Sequence, residues 1–335
     1  MSKKRLSRNQ KQRMKTINMN LLAKNNNSLE MDYCSFSEQQ EGIIICMFGN
    51  HADLKDTYGI EHRCHIRRTI QSLVTGDRVL WRAGTRPLMK GVIEAVHERQ
   101  SVLMQSDCDA ASRPMAANIN QIVIVLSIFP RLSLDLIDKY LVACETIKIE
   151  PLIVLNKIDL IGDRPSDLIE EAIDIYRRIG YRILILSSNT KQGITALKNE
   201  LAERISIFIG QSGVGKSTLI NSIIPGFPHP IIIGSGSQYS SLGTHTTTAT
   251  RLYDFPQGGN LIDSPGIRDF SLWHIDSKKI ILGFIEFRKY LGTCQFRNCK
   301  HQNDPGCALR AAIREGEITQ ERFSSYHSII KKYLR

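Results

Sequence analysis

A glycine-rich segment of the sequence reads Gly210, Gln211, Ser212, Gly213, Val214, Gly215, Lys216, Ser217 and Thr218. It matches the pattern G-x-x-x-x-G-K-[ST], in which glycines allow successive backbone N–H groups to point inward at phosphate oxygens. The β-branched run Ile205–Ile209 predicts a strand before this segment, and a helix is predicted from about Lys216. We therefore predict a phosphate loop in which Lys216 neutralises phosphate charge and Ser217 binds Mg²⁺. The alternative is a glycine-rich turn that binds nothing.

Alternating strands and helices flank this loop along the chain. The predicted strands are Gln121–Ser127, Pro151–Leu155, Arg182–Leu186 and Asn260–Ile262, and the predicted helices are Ser133–Lys148, Pro165–Ile179 and Ile194–Glu203. Strands joined by helical crossovers of this length imply a parallel sheet between two helical layers. The central part of the chain is therefore predicted to be a three-layer P-loop α/β domain.

The nucleotide base is indicated by residues 156–159, which are Asn156, Lys157, Ile158 and Asp159. They follow a predicted strand at its carboxyl end, where ligands of open α/β sheets bind. A buried Asp159 carboxylate accepts two hydrogen bonds from guanine, whereas adenine lacks both donors and would leave the charge unpaired. We expect Asn156 to brace neighbouring loops and the Lys157 stem to cover one face of the base. Ser187 and Ser188, after another strand, either complete the pocket with backbone N–H groups or form an ordinary turn.

Two further segments have the composition of γ-phosphate sensors. Asp263-Ser-Pro-Gly266 follows a short strand, so its carboxylate is predicted to hold Mg²⁺ through water and the Gly266 N–H to reach the γ-phosphate. The Gly/Ser-rich stretch around Gly243–Thr248 is predicted to be a mobile loop. Its Thr247, or the neighbouring Thr246, is expected to complete the Mg²⁺ shell only while the γ-phosphate is present, as in a switch.

The catalytic part of the site lacks a glutamine that would orient water. Ile267 follows the Asp263–Gly266 motif, and an isoleucine cannot hydrogen-bond the attacking water. We therefore expect slow intrinsic hydrolysis, roughly 10⁻⁴–10⁻² per second, and strong stimulation by a macromolecular partner. His245 is the candidate catalytic residue that orients or activates the water, and a solvated loop histidine is the alternative.

The order of these motifs differs from that of ordinary GTPases, in which the phosphate loop comes first and N-K-x-D comes last. Here Asn156–Asp159 precedes Gly210 by about fifty residues. A permutation of this kind leaves contacts intact and moves only the termini. We therefore predict a circularly permuted GTPase whose switch segments directly precede the C-terminal domain.

A cluster of metal-ligand side chains lies near the C-terminus at Cys294, Cys299, His301 and Cys307. Three thiolates and one imidazole within fourteen residues suit one Zn²⁺ ion in a closed, tetrahedral, structural site. Three buried thiols beside an unrelated histidine are the alternative. The sequence shows neither a long apolar run nor an apolar segment after its basic N-terminus, so we expect a cytoplasmic compartment with reduced thiols.

The rest of the chain predicts the other domains. Residues 1–34 are a basic tail, expected to be disordered when free because it has little apolar surface to offset its ordering entropy. Residues 35–112 contain five predicted short strands, which favour a small OB-fold barrel, although an SH3-like barrel stays open. These strands are Ile43–Phe48, His62–Arg67, Asp77–Arg82, Lys90–His97 and Ser101–Gln105. Residues 113–273 form the GTPase domain, and residues 274–335 a helical zinc-binding domain with helices Asp276–Tyr290 and Thr319–Tyr333.

Together these features resemble the bacterial GTPases that depend on the small ribosomal subunit, a family of circularly permuted GTPases. The resemblance covers nearly the whole chain from about residue 35, through Arg67–Ile70, Gly76–Val79, Ala117–Asn120, Asn156–Asp159, Gly210–Thr218, His245–Thr248, Asp263–Gly266 and the four zinc ligands. It implies an OB-fold, a central GTPase domain and a C-terminal zinc domain. It also implies binding to the small ribosomal subunit, a role in its late maturation, and GTP hydrolysis stimulated by that subunit.

The composition agrees with such a partner. The 335-residue chain carries a formal net charge of +11, and its segments His62–Arg68 and Arg78–Arg86 could follow an RNA backbone, or could be a solvated barrel rim. Two other functions stay open: a GTP-gated RNA-binding module with incidental turnover, and a P-loop ATPase or small-molecule kinase that makes no use of Asp159. We expect a monomer that binds GTP, GDP and ribosomal RNA, and no membrane.

Overall fold

The computed structural model describes residues 36–86, 89–105, 113–130, 132–160, 167–224, 250–264 and 277–333, together with residues 12, 16, 19 and 227. The tail over residues 1–34 lies outside the described residues except at positions 12, 16 and 19, where the backbone is helical. His245, Thr246, Thr247, Gly266 and Ile267 also lie outside them. The chain divides into two compact units, which are described separately.

The first unit contains a closed barrel of five strands: β1 (Gln40–Phe48), β2 (His51–Asp56), β3 (Glu61–Ile66), β4 (Arg78–Arg82) and β5 (Gly91–Val96). They pair in the order β1-β2-β3-β5-β4, and β4 pairs back to β1. All pairs are antiparallel except β3 with β5. This closed order with one parallel pair is that of an OB-fold, so the OB-fold prediction is confirmed and the SH3-like alternative is excluded. Ile44, Leu54, Trp81 and Ile93 fill the barrel.

One predicted barrel strand is wrong. The segment expected at Ser101–Gln105 forms β6 (Val102–Gln105), which pairs with β7 (Arg113–Ala117) in a separate hairpin. The fifth barrel strand is β2 instead, joined to β1 by the two-residue turn Gly49-Asn50, with Gly49 at φ 61°. The strand was missed because Asp53, although buried, interrupts its apolar pattern; the Arg63 guanidinium neutralises that carboxylate. The Gly-Asn turn is the signal that could have revealed it.

Two strands from late in the chain belong to the same unit as the barrel. β12 (Arg251–Asp254) pairs antiparallel with β13 (Asn260–Asp263), and it also pairs with β1, where Cys46 lies opposite Arg251. β12 was not predicted. β12 and β13 therefore belong to the same compact unit as the barrel, although both lie within the range 113–273 predicted for the central domain.

The second unit contains a parallel sheet of four strands: β8 (Gln121–Ser127), β9 (Glu150–Asn156), β10 (Arg182–Ile185) and β11 (Ile205–Ile209), in the order β10-β9-β8-β11. Its connecting helices are α1 (Leu134–Ile147), α2 (Asp167–Ile179) and α3 (Ile194–Leu201), and α4 (Lys216–Ile223) follows β11. Every residue of β8 is buried, as expected for a parallel strand covered on both faces. The predicted α/β sheet is confirmed.

The C-terminal part of this unit is helical but less regular than predicted. The expected helix Asp276–Tyr290 is wrong, because the segment consists of α5 (Ser277–Ile280) and the 3₁₀ turns Ile281–Gly283 and Ile285–Tyr290. The helical backbone is interrupted at Phe284, which is extended with φ −90° and ψ 93°. The preceding Gly283 packs on α1 so closely that an added Cβ would lie 2.7 Å from Val142 Cγ1. α6 (Ala308–Arg314) and α7 (Gln320–Tyr333) follow. None of the described helices is long and apolar enough to cross a membrane.

A buried ionic network connects α7 to helices α1 and α2 of the α/β sheet. Arg322 on α7 has a side-chain exposure of 1% and donates to Glu286 at 2.7 and 3.0 Å, and to Asp138 on α1 at 2.5 Å. The Tyr176 hydroxyl of α2 donates to the same Asp138 at 2.7 Å. The C-terminal helices and the α/β sheet therefore share one packed unit, whose C-terminal core includes Phe284 and other apolar side chains.

Candidate nucleotide site and metal centre

The predicted nucleotide segments follow the carboxyl ends of three of the four strands of the parallel sheet. The phosphate loop follows β11, Asn156–Asp159 begins at the end of β9, and Ser187-Ser188 comes just after β10. Because these strands are parallel, their carboxyl ends lie along one edge of the sheet. Ligands of open α/β sheets bind at this edge.

The glycines of the phosphate loop are required by geometry. Gly210, Gly213 and Gly215 have φ values of 145°, 83° and 92°, which residues with a Cβ rarely adopt. An added Cβ at Gly210 would lie 2.2 Å from the Val125 carbonyl oxygen, and one at Gly215 would lie 2.5 Å from Asn156 Nδ2. The loop therefore holds a conformation that only glycine permits, as a backbone cradle for phosphate needs.

Lys216 begins α4 and folds back over this loop. Its ammonium group donates to the carbonyl oxygens of Gly210 and Gln211, at 2.7 Å each. These bonds place a positive charge at the mouth of the loop, beside the N-terminus of α4. Ser217 follows it in the first turn of that helix and is half-buried.

Asn156 joins two loops of the site, which is the bracing role expected from the sequence. It is fully buried; its Nδ2 donates to the Val214 carbonyl at 3.1 Å, and its Oδ1 accepts from the Ser188 N–H at 3.0 Å. The neighbouring Lys157 ammonium donates to the carbonyls of Phe129 at 3.1 Å and Gly213 at 2.5 Å. The predicted base-binding and phosphate-binding segments are thus held together by the side chains of Asn156, the last residue of β9, and of Lys157, the residue after it.

Asp159 lies in a short 3₁₀ turn and is exposed, whereas guanine specificity was predicted from the sequence for a buried Asp159 carboxylate. Its carboxylate accepts from the Ser187 hydroxyl at 2.5 Å and from Asn189 Nδ2 at 3.3 Å. The bond from Ser187 holds the pKa of Asp159 below its ordinary value, so the carboxylate is charged. Asn189 was not among the predicted site residues, although its amide stands one position beyond Ser188 in a loop already assigned to the pocket.

Ser187 and Ser188 contact the site differently from the expectation. The Ser187 N–H donates to the Gln192 carbonyl at 3.0 Å, and the Ser188 N–H donates to Asn156. Both backbone donors are therefore engaged within the protein. The group that reaches the Asp159 carboxylate is the buried Ser187 hydroxyl, which also accepts from the Thr190 N–H at 3.1 Å.

Asp263, the predicted Mg²⁺ carboxylate, is the last residue of β13 in the first unit. Its neighbour Ser264 is buried and accepts a hydrogen bond from the Thr250 hydroxyl at 2.9 Å. The remaining predicted switch and catalytic residues, namely His245, Thr247 and Gly266, lie outside the described residues.

The four predicted metal ligands come together in the second unit. The ligand atoms of Cys294, Cys299, His301 and Cys307 all lie within 4.8 Å of one another. His301 Nδ1 is 3.6, 3.6 and 3.5 Å from the sulfur atoms of Cys294, Cys299 and Cys307. Two hydrogen bonds hold these residues in place: the Ala308 N–H donates to Cys294 Sγ at 3.3 Å, and His327 Nε2 bonds the His301 carbonyl at 2.9 Å. These residues could hold a metal ion.

Comparison with known proteins gives the family of the chain. The RsgA GTPase family model matches residues 96–273, which is more than half of the sequence. The small ribosomal subunit biogenesis GTPase RsgA of Dickeya dadantii is 55% identical over 333 residues, covering 99% of this chain and 95% of that protein. The chain belongs to the RsgA GTPase family. It is therefore a GTPase, a hydrolase that acts on GTP.

Solved structures agree with this family assignment. The crystal structure of YjeQ from Thermotoga maritima superposes with a TM-score of 0.74 at 30% identity, covering 89% of this chain and 99% of that one. YloQ, described as a circularly permuted GTPase, has the same fold, with a TM-score of 0.70 at 24% identity over 91% of this chain and 97% of that one. The motif order predicted from the sequence, with N-K-x-D before the phosphate loop, is that of a circularly permuted GTPase.

Proposed function

We propose that this chain binds the small ribosomal subunit, assists its late maturation, and hydrolyses GTP slowly alone and faster on the subunit. The observation that carries the enzymatic part is the convergence of the phosphate loop, Asn156 and Asp159 at one edge of the parallel sheet. The partner is suggested by the relatives at 52–55% identity, whose names describe small ribosomal subunit biogenesis. We further propose a monomer in the cytoplasm.

We propose that different residues bind the guanine base and the phosphates of the nucleotide. Asp159, kept charged by Ser187, is proposed to accept the N1–H and N2 amino donors of guanine, and the resulting contact to bury the carboxylate. The loop N–H groups and Lys216 are proposed to hold the β- and γ-phosphates, and Ser217 to ligate Mg²⁺. Mg²⁺ supplies neutralisation of the charge that develops on the phosphates. The roles of Thr247, Asp263 and Gly266 stay predictions from the sequence, as does His245 as the residue that orients water.

We propose that the metal of the Cys₃His cluster is one structural Zn²⁺ ion. A tetrahedral zinc site has metal–sulfur and metal–nitrogen distances of about 2.3 and about 2.0 Å, which together separate sulfur from nitrogen by roughly 3.5 Å. The three separations from His301 Nδ1, 3.5–3.6 Å, fit that requirement. Three thiolates also favour zinc over harder cations. Four protein ligands leave no position for a catalytic water, so the ion would stabilise α6 and the loop before it.

The barrel offers a basic surface for RNA, but only part of its basic sequence is available for that purpose. Arg67 and Arg82 both pair with the buried Glu94, at 2.8 and 3.1 Å, so their charges support the barrel. Arg68, Arg78 and Arg86 are exposed. We propose these three arginines as phosphate contacts, which would make binding weaken as salt rises.

The decisive experiment compares GTP hydrolysis by the full chain with and without purified small ribosomal subunits. We expect stimulation of at least about tenfold, because the motif that follows Asp263 lacks a water-orienting glutamine. Lys216→Ala is the control that should lose turnover under both conditions. GTP-dependent subunit binding without any stimulation would instead favour the alternative function, a GTP-gated RNA-binding module with incidental turnover. His245→Ala should lose most of the stimulated rate, and an unchanged rate would exclude its catalytic role.

A further inference from the structure

Two hydrogen bonds that meet at Thr250 connect Thr75, which precedes β4, to residues that adjoin both predicted switch segments. Thr75 Oγ1 donates to the Thr250 carbonyl at 3.0 Å, and Thr250 Oγ1 donates to Ser264 Oγ at 2.9 Å. Ser264 Oγ in turn contacts Met115 Sδ at 3.4 Å. Thr75 and Ser264 are only 2% and 8% exposed, so the bonds are shielded from water.

The positions of these residues in the sequence give the hydrogen bonds their significance. Thr250 connects the segment that contains Gly243–Thr248 to β12, and Ser264 directly follows Asp263. These hydrogen bonds therefore connect the residues that adjoin the two segments predicted from the sequence to sense the γ-phosphate. All the residues that they connect lie in the first unit, with the barrel.

Thr75 itself is fixed to the barrel and cannot shift independently. Its carbonyl accepts from the Ala117 N–H at 3.0 Å, and the next residue, Gly76, donates to the Ile44 carbonyl of β1 at 2.9 Å. Gly76 has φ 87°, and an added Cβ would lie 2.2 Å from the Ala117 carbonyl oxygen. A displacement of the barrel strands would therefore be passed to the Thr75 hydroxyl.

The strands do not need the Thr75 hydroxyl in order to pair. β12 is already held by its ladder with β13, in which Arg251 lies opposite Asp263, and by β1 on its other side. A valine would fill the volume of Thr75 without donating a hydrogen bond. The hydroxyl thus adds a directional link between the barrel and Thr250 that packing alone would not supply.

We propose that Thr75 is a positioning residue that transmits engagement of the barrel by the small subunit to the GTPase centre, by fixing Thr250 and, through it, Ser264 beside Asp263. This inference rests on the proposed function. Thr75 is buried, so it cannot touch the subunit directly, and its effect belongs on the stimulated rate rather than on subunit affinity. The same reasoning assigns Thr250 a shared role.

The test measures four quantities for the full-length chain: basal kcat, kcat with saturating small subunits, GDP affinity and subunit affinity. Thr75→Val should lower the stimulated kcat by about tenfold, the loss expected from one buried hydrogen bond. Its basal kcat and both affinities should stay within about twofold of the parent. Thr75→Ser, which keeps the donor, should retain stimulation. Thr146→Val is the matched control, because it removes a hydroxyl bonded to the Val142 carbonyl at 2.7 Å on α1.

A double-mutant cycle separates a relay from general damage. Thr250→Val should reduce the stimulated kcat to a similar extent, and Thr75→Val with Thr250→Val should cost less than the product of the two single effects. Independent, fully multiplicative effects, or an equal fall in basal and stimulated rates, would overturn the relay. A stimulated rate unchanged in Thr75→Val would overturn it while leaving the proposed function intact. A parent chain that small subunits do not stimulate would overturn the proposed function and the relay with it.

Discussion

The nucleotide site and the Cys₃His cluster are built in opposite ways. The candidate nucleotide site gathers loops from three strand ends between residues 156 and 218, and Asp159, the carboxylate proposed to recognise the base, remains exposed. The metal cluster takes all four ligands from residues 294–307, packed against a small apolar core. The loops of the first site are joined by hydrogen bonds from residues at the end of β9, whereas the cysteines of the second pack within the C-terminal apolar core.

Because of this difference, substitutions at the two centres should have different effects. Loss of a group in the nucleotide site should change affinity while the sheet stays folded, because β8, β9 and β11 are buried independently of the loops. Loss of a metal ligand should instead unfold the helices around it, since a structural metal contributes directly to folding free energy. Variants of each kind can therefore break or sharpen the comparison.

The largest effect is expected from Cys307→Ala, which removes the buried cysteine of the proposed metal site that precedes α6. Structural zinc contributes about 10–16 kcal/mol in isolated zinc-finger peptides, so the C-terminal helices should lose their packing. We expect loss of bound zinc by mass spectrometry and rapid proteolysis of residues after 290, with GDP affinity within about threefold of the parent. Cys46→Ala, a buried cysteine of β1 outside the cluster, should retain the metal. Full metal content and normal stability in Cys307→Ala would refute the structural role.

Asp159→Asn should have the next largest effect, on affinity alone. Two hydrogen bonds to a charged acceptor, each worth about 1.5–3 kcal/mol, would weaken GDP binding by about 3–6 kcal/mol and improve binding of xanthosine diphosphate. Titration with GDP and with xanthosine diphosphate measures this change in preference, and the melting temperature of the variant should equal that of the parent. Asp254→Asn, an exposed carboxylate of β12, is the control. Unaltered preference for guanine would show that Asp159 does not read the base.

Arg322→Met tests whether the metal alone holds the C-terminal helices. The substitution leaves Asp138, which is 1% exposed, without its cation, so the free energy of unfolding should fall by about 3–5 kcal/mol in urea denaturation. The exposed Arg314→Met should change it by less than about 0.5 kcal/mol. Adding Asp138→Leu to Arg322→Met should recover part of the loss. Stability equal to that of the parent would leave the metal as the dominant support.

The smallest effect is expected from Ser187→Ala, which removes the hydroxyl bonded to Asp159. Because that bond lowers the pKa of Asp159, guanine affinity in the parent persists as the pH falls, and is lost only when the pH passes through the lowered value. In Ser187→Ala the loss should begin at a higher pH, and GDP affinity at pH 7 should fall by about two- to fivefold. Ser188→Ala is the control, since only its backbone N–H is bonded. Identical pH profiles would disprove the role of Ser187.

The sequence predicted best what local spacing determines. The phosphate loop, Asn156–Asp159 and the metal ligands each lie within a short segment, and the buried β-branched runs located β8, β9 and β11. β2 was missed because its pattern is interrupted by Asp53, whose charge is neutralised only once Arg63 pairs with it across the ladder. The helix expected over Asp276–Tyr290 was wrong because the backbone becomes extended at Phe284, a fully buried residue of the C-terminal core, and the local periodicity does not encode that packing.

Contacts between distant segments were beyond prediction for the same reason. Arg322 and Asp138 are 184 residues apart in the chain, and Thr75 and Thr250 are 175 residues apart. Nothing in the local pattern around a lone arginine or threonine reveals such a partner. The exposure of Asp159 was also unpredictable, because the sequence shows the residue type that recognises guanine but not the depth at which the loop places it.

The pairing of β12 with β1 has a consequence for how this protein can be divided or recombined. A fragment beginning at residue 113 would keep β12 but lose β1, exposing unpaired backbone groups along a new sheet edge that invites self-association. Exchanging the barrel for that of a distant homologue would replace β1, the strand that pairs with β12. β1 and β12 should therefore be kept together when the protein is divided or recombined, although about two hundred residues of chain separate these two strands.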